Sequence, residues 1–139
     1  MTRECTIIFS RQQLKIFLVL VLALLVGSCE QGAKTPELAA ELFLKAMQEF
    51  RFQDAALQAT SDSQSVLRAV ESLTRNLDQD ERQIVTGIGK GTMQIVLKEM
   101  QDSRAVVTYT LAGGVAEELS LTRQGELWKV RYQARSIFP

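Results

Sequence analysis

Residues 93–134 read MQIVLKEMQDSRAVVTYTLAGGVAEELSLTRQGELWKVRYQA, and their apolar residues recur with a period of two. Met93, Ile95 and Leu97 alternate with Gln94, Val96 and Lys98. Ala105, Val107, Tyr109 and Leu111 alternate with Arg104, Val106, Thr108 and Thr110. Val115, Leu119 and Leu121 follow, then Trp128, Val130, Tyr132 and Ala134. Alternation of this kind places one apolar and one polar face on a strand. The breaks at Gln101-Asp102-Ser103, Ala112-Gly113-Gly114 and Gln124-Gly125 are hairpin signals. The stretch therefore predicts a four-stranded antiparallel meander.

Register follows from keeping the apolar residues on one face, because a slip of one residue turns every side chain over. A two-residue Gln124-Gly125 turn pairs Leu121 with Trp128, Leu119 with Val130 and Glu118 with Arg131. A three-residue loop, Ala112 to Gly114, pairs Tyr109 with Glu117 and Val107 with Leu119. The same reasoning asks for three loop residues, Gln101 to Ser103, in the first hairpin.

Upstream the period changes to that of a helix. Thr35-Pro36-Glu37 is a start signal: a capping hydroxyl, a proline suited to the first turn and an acid that complements the dipole. Leu38, Leu42, Phe43, Ala46, Met47 and Phe50 then share one face, and the helix should end near Arg51. A short helix over 53–59 carries Ala55, Ala56 and Leu57. Ser61-Asp62-Ser63-Gln64 reads as a capping box, and Val66, Val70, Leu73 and Leu77 stripe the helix after it. Asp78 with Glu81 repeats the cap ahead of Ile84, Val85 and Ile88, and Gly87, Gly89 and Gly91 stop that helix. Helices followed by a meander give an α+β class, with the apolar sheet face curling around the first and third helices. Leu42, Phe43, Met47, Leu119, Trp128 and Val130 should meet in its core.

The beginning of the chain is of another kind. Arg3, Arg11 and Lys15 outweigh Glu4, an apolar run covers 16–26, and Val26-Gly27-Ser28-Cys29 follows. A basic start, an apolar run and small residues describe a secretory signal peptide. Eleven helical residues would span about 17 Å, short of the roughly 30 Å core of a bilayer. An uncleaved anchor and a buried helix are the competing readings of the run. The cysteine set directly after small residues resembles the lipobox of bacterial lipoproteins. That resemblance implies removal of the peptide before Cys29, between Ser28 and Cys29, and acylation of Cys29. It divides the chain into a signal peptide over 1–28, a short tether over 29–34 and a domain over 35–139. It also implies a protein held in the lipid bilayer through its acyl chains. With Glu30 rather than Asp after the cysteine, the family's sorting rule points to the outer membrane facing the periplasm in a Gram-negative source.

Composition narrows the function classes. Lys and Arg total 16 and so do Asp and Glu. Cleavage before Cys29 leaves 111 residues with a side-chain charge of −2, so no basic excess favours nucleic acid. The chain has no histidine, which removes the commonest general base and metal ligand. Cys5 leaves with the leader. No metal and no cofactor are expected.

The segments TPELAAELFLKAMQEFRFQDAALQATSDS, SRAVVTYTL and LTRQGELWKV together resemble small bacterial lipoproteins with a nuclear transport factor 2-like domain of unknown function. The resemblance covers Thr35 to Val130 and implies a cone-like α+β fold. The family's usual Gly-Asp between the first two helices is here Phe50-Arg51-Phe52-Gln53-Asp54, without a glycine.

Most polar groupings read as ordinary structure. Gly87-Ile88-Gly89-Lys90-Gly91-Thr92 lacks the spacing and the following helix of a phosphate loop. Asp78, Asp80, Glu81 and Gln83 lack the glycine and ligand spacing of a calcium loop. Trp128 is a core anchor before it is a ligand platform. Lys129, Arg131 and Arg135 form a solvated outer row. Glu117 differs, because the register puts it on the apolar face between Tyr109 and Tyr132. An inward carboxylate must gain hydrogen bonds, be protonated or sit in a wet pocket. The alternative, and the expected one, is a bulge at Glu117-Glu118 that turns it outward.

Three functions are compatible with these residues. One is a non-catalytic envelope lipoprotein that binds a small apolar ligand or a partner protein, with Glu117, Tyr109 and Tyr132 as the candidate pocket. Another is an isomerase- or dehydratase-like enzyme that uses the same three residues. The last is a structural envelope component.

Overall fold

The structure is a computed structural model that describes residues 32–111 and 114–133. Ser28, Cys29, Ala134 and Arg135 lie outside the described residues. The elements run α1 (Pro36–Gln48), α2 (Phe52–Leu57), α3 (Ser61–Thr74), α4 (Gln79–Thr86), β1 (Met93–Gln101), β2 (Arg104–Leu111), β3 (Glu117–Gln124) and β4 (Leu127–Arg131). The strands form one antiparallel sheet in the order β1-β2-β3-β4. The class is α+β, four helices followed by a meander.

Local chemistry explains the helix ends. Thr35 Oγ1 accepts from the Leu38 N–H at 3.3 Å, and Pro36 opens α1. Asp78 Oδ1 accepts from the Asp80 and Glu81 N–H groups, and Glu81 Oε2 accepts from the Asp78 N–H, completing the capping box of α4. Gly87 ends α4 at φ 67°, a left-handed conformation that glycine adopts without a Cβ penalty. The cap of α3 differs from expectation. Thr60, not Ser61, is its N-cap, and no side chain caps it. The Thr60 hydroxyl instead meets the Ser63 hydroxyl at 2.8 Å, and Ser63 Oγ accepts from the Tyr132 N–H.

α1 lies against all four strands, and α3 touches β4. The buried face of α1 is Ala39, Ala40, Phe43, Leu44, Ala46 and Met47. Leu38 and Leu42, expected inside, are 42% and 39% exposed. Alanines on the inner face let the helix axis approach the sheet. The larger leucines then fall at the margin, because a helix seats only one stripe of about 100° or more. Phe43, Met47, Leu119, Trp128 and Val130 do share one buried cluster.

The meander registers are instructive. In β2–β3, Tyr109 faces Glu117 and Val107 faces Leu119, as expected from a three-residue connection. In β1–β2, Ile95 faces Tyr109 and Leu97 faces Val107, also as that register requires. The odd residue is not in the loop, however. Gln101 pairs directly with Arg104, Asp102 adopts φ 43°, and the register shifts between Leu97 and Glu99. One extra residue thus sits as a bulge at Lys98, which restores the face of every inward side chain. In β3–β4 the turn is Gly125-Glu126 rather than Gln124-Gly125. Leu121 therefore faces Val130, and Arg123 faces Trp128. Arg131 faces Ser120, and Glu118 pairs with Lys98 instead.

The free edge of β4 is covered. The Trp128 N–H donates to the Ala33 carbonyl at 2.8 Å, the Val130 N–H to Gln58 at 2.7 Å, and the Thr60 N–H to Val130 at 2.9 Å. An exposed row of such groups would invite pairing with another chain. Here the segments flanking α1 and α2 supply the partners.

Candidate functional site

A cleft of about 310 Å³ opens between α1, the end of α4 and one end of the sheet. Phe43 and Leu44 reach it from α1, and Thr86, Gly87 and Ile88 come from the end of α4. Tyr109 comes from β2, Glu117 and Leu119 from β3, and Arg131 and Tyr132 from the end of β4. The period-two pattern explains the sheet's share. Tyr109, Glu117 and Leu119 all point inward, because Tyr109 and Glu117 are directly opposed and residues i and i+2 share a face.

The bulge expected at Glu117-Glu118 is not formed. Tyr109↔Glu117 and Thr108↔Glu118 continue without a break. Tyr109 is 7% exposed, and its hydroxyl donates to Glu117 Oε2 at 2.6 Å. That is a short, charge-assisted geometry for an ionised acceptor. It gives the inward carboxylate one of the hydrogen bonds that a half-buried acid needs. Tyr132 lines the same cleft, and its ring lies 5.5 Å from the Phe43 ring, tilted by 48°. Its backbone N–H is tied to Ser63 Oγ at 2.8 Å. The three candidate residues are thus brought to one cleft, with Tyr109 and Glu117 in direct contact.

Sequence reasoning missed the contribution of residues 86–88. Ile88 is 4% exposed, although its segment reads as a glycine-rich linker. Gln48 Nε2 fixes that linker to the end of α1, donating to the Gly89 carbonyl at 2.8 Å and to Gly91 at 3.2 Å. The only available sequence signal was one isoleucine between glycines. A second, more open groove of about 460 Å³ lies between α1 and β1, lined by Glu41, Lys45, Gln48, Met93 and Ile95 among others. Its charged groups, Lys45 and Glu41, are already paired at 2.7 Å.

Other candidates resolve into structure. Trp128 is 4% exposed and belongs to the core. Asp78 and Glu81 cap α4. Lys129 Nζ donates to the Leu57 carbonyl. Lys98 meets Glu118 across the outer face of the sheet. That hydrogen bond, reinforced by charge attraction, raises the Lys98 ammonium above its ordinary value. Among the described residues, no group of three or more His, Cys, Asp or Glu could hold a metal ion. Among the same residues, no helix is long and apolar enough to cross a membrane. No family model matches the chain, and no curated protein matches it.

Proposed function

We propose that the protein is a bacterial envelope lipoprotein, anchored through acylated Cys29, whose domain binds a small apolar ligand without transforming it. The domain takes the cone-like nuclear transport factor 2-like arrangement. In a Gram-negative source it sits on the outer membrane and faces the periplasm. The observation that carries the binding reading is the Tyr109–Glu117 pair, hydrogen-bonded at 2.6 Å on the wall of a cleft whose other walls include Phe43, Leu44, Ile88 and Leu119. The apolar side chains give a ligand a patch to bury against, the remaining lining (Thr86, Glu118, Ser120, Arg131 and Gln133 with the pair itself) is polar, and about 310 Å³ falls at the small end of the roughly 300–1,000 Å³ range of ligand sites. Catalysis at the same pair would require an oriented acid and base acting on a substrate, and fold kinship alone does not supply them.

Two experiments test the reading. Labelling with a palmitate analogue should mark the wild type and not Cys29→Ala; label persisting in the variant refutes the anchor. Native mass spectrometry of detergent-extracted protein should find a co-purified small molecule that Leu119→Trp, which fills the cleft, excludes. An identical mass adduct in both proteins refutes binding in the cleft.

A further inference from the structure

Gly32 and Ala33 are already locked to β4. A Cβ on Gly32 would collide with the Leu127 side chain. Ala33 is fully buried, and its carbonyl accepts from the Trp128 N–H at 2.8 Å. In sequence, only Glu30 and Gln31 separate Gly32 from Cys29. At no more than about 3.6 Å per residue, Cys29 lies within about 11 Å of Gly32 whatever path the chain takes.

Gly32 sits beside Leu127, where the Gln124↔Leu127 pair closes the β3–β4 turn. The β1–β2 turn is at the same end of the sheet, since the Ser103 carbonyl accepts from the Arg123 N–H at 2.7 Å. The Tyr109–Glu117 pair is at the other end. Seven steps along β3 lead from Glu117 to Gln124, about 23 Å at about 3.3 Å per residue. α1 gives an independent measure. It starts next to Ala33, and Gln48 at its far end bonds to Gly89 beside Ile88 of the cleft. Its length is roughly 18–20 Å at 1.5 Å per residue.

We infer that the end of the sheet carrying the two turns, 101–104 and 124–127, faces the lipid surface, and that the cleft opens away from it toward the aqueous compartment. The inference rests on the acylation of Cys29 proposed above. The stretch from Cys29 to Gly32 is at most about half as long as the distance from the turn to the cleft, so the two ends of β3 cannot exchange places without breaking the Gly32–Ala33 seat. The turns present Asp102, Arg104, Arg123 and Glu126, all exposed. Two acids and two bases suit a zwitterionic headgroup layer rather than insertion into hydrocarbon. A ligand of the cleft is then taken from water, not drawn out of the bilayer.

The test uses the acylated protein with one introduced thiol, Glu126→Cys at the turn or Ala116→Cys near Glu117, both at exposed positions. Gln124→Cys and Val115→Cys serve as a second pair if either of the first fails to fold. Each carries a thiol-linked fluorophore in phosphatidylcholine vesicles that contain a lipid with a nitroxide on its headgroup. Several-fold stronger quenching at 126 than at 116 is expected. Equal quenching, or stronger quenching at 116, overturns the orientation. Intact mass of the same preparations separates the two readings. Acylated Cys29 with equal quenching leaves the anchor standing and removes the orientation; Cys29 without acyl mass removes both.

Discussion

Tyr109 and Glu117 face each other across β2 and β3, and the tyrosine hydroxyl donates to the carboxylate at 2.6 Å. Their proximity is a consequence of register, since any odd slip between these strands would turn Glu117 to the outer face. The pair should therefore show energetic coupling. A double-mutant cycle with Tyr109→Phe and Glu117→Gln is expected to give a coupling energy of about 0.5–3 kcal/mol, the range for residues in direct contact. Denaturant unfolding of the four proteins measures it. Strict additivity would mean that the contact is absent in solution.

Trp128 is 4% exposed and belongs to the main buried cluster. Its backbone N–H also holds Ala33, so the residue joins core packing to the segment ahead of α1. Trp128→Ala should cost about 3–5 kcal/mol, as large aromatic truncations do. That is a large share of the 5–15 kcal/mol typical of a domain. An unresolved shift in melting temperature would contradict the burial.

The sheet was the most legible part of the chain, and its errors were of a definite kind. Period-two alternation fixes faces: Ala105, Val107, Tyr109, Leu119, Leu121, Trp128 and Val130 are buried, whereas Val115, ahead of β3, is 86% exposed. It does not distinguish registers that differ by two, because both keep the faces. The period alone therefore accepts Leu121 opposite Trp128, where the structure pairs it with Val130. Alternation also shows that one odd residue is needed between β1 and β2 without showing where. The residue is Lys98, in a bulge, because Asp102 accepts a positive φ and closes a two-residue turn. α1 misled in another way. Apolar size marks a stripe, but close approach to the sheet selects Ala39 and Ala40 over Leu38 and Leu42. Of the cleft, Glu117 stood out as an acid among apolar neighbours. Ile88 did not, since its place depends on the bond between Gln48 and Gly89.

Gln58 offers a test of polar burial. It is 7% exposed, and its Oε1 has no hydrogen-bond partner among the described residues. A buried acceptor left without a partner costs about 1–3 kcal/mol. Gln58→Met keeps the side-chain length and removes that oxygen, while the backbone carbonyl still accepts from the Val130 N–H. The variant is expected to be more stable by about 1 kcal/mol in denaturant unfolding. A loss of stability of similar size would show that the amide makes a bond the apolar side chain cannot replace.

Phe50 lies in the connection between α1 and α2, which holds no glycine. It follows the C-cap of α1 at φ 54°. The Arg51 N–H donates to the Ala46 carbonyl at 2.8 Å and the Phe50 N–H to Met47 at 3.1 Å. This is the paired hydrogen-bond pattern of a helix end whose left-handed position usually holds glycine. A side chain there costs about 1–2 kcal/mol. Ring contacts oppose that cost: Phe52 lies 6.5 Å away, and the Arg82 guanidinium is 5.7 Å from the ring centre. The two effects separate by comparing two truncations. Phe50→Ala removes the ring and keeps the Cβ strain, whereas Phe50→Gly removes both. Phe50→Gly should therefore be more stable than Phe50→Ala by about 1 kcal/mol, the reverse of their order inside a helix. Both should be less stable than the wild type if the ring contacts outweigh the strain. Thermal or denaturant unfolding of the three proteins reads the order directly. Alanine more stable than glycine would mean that residue 50 does not hold the left-handed conformation in solution.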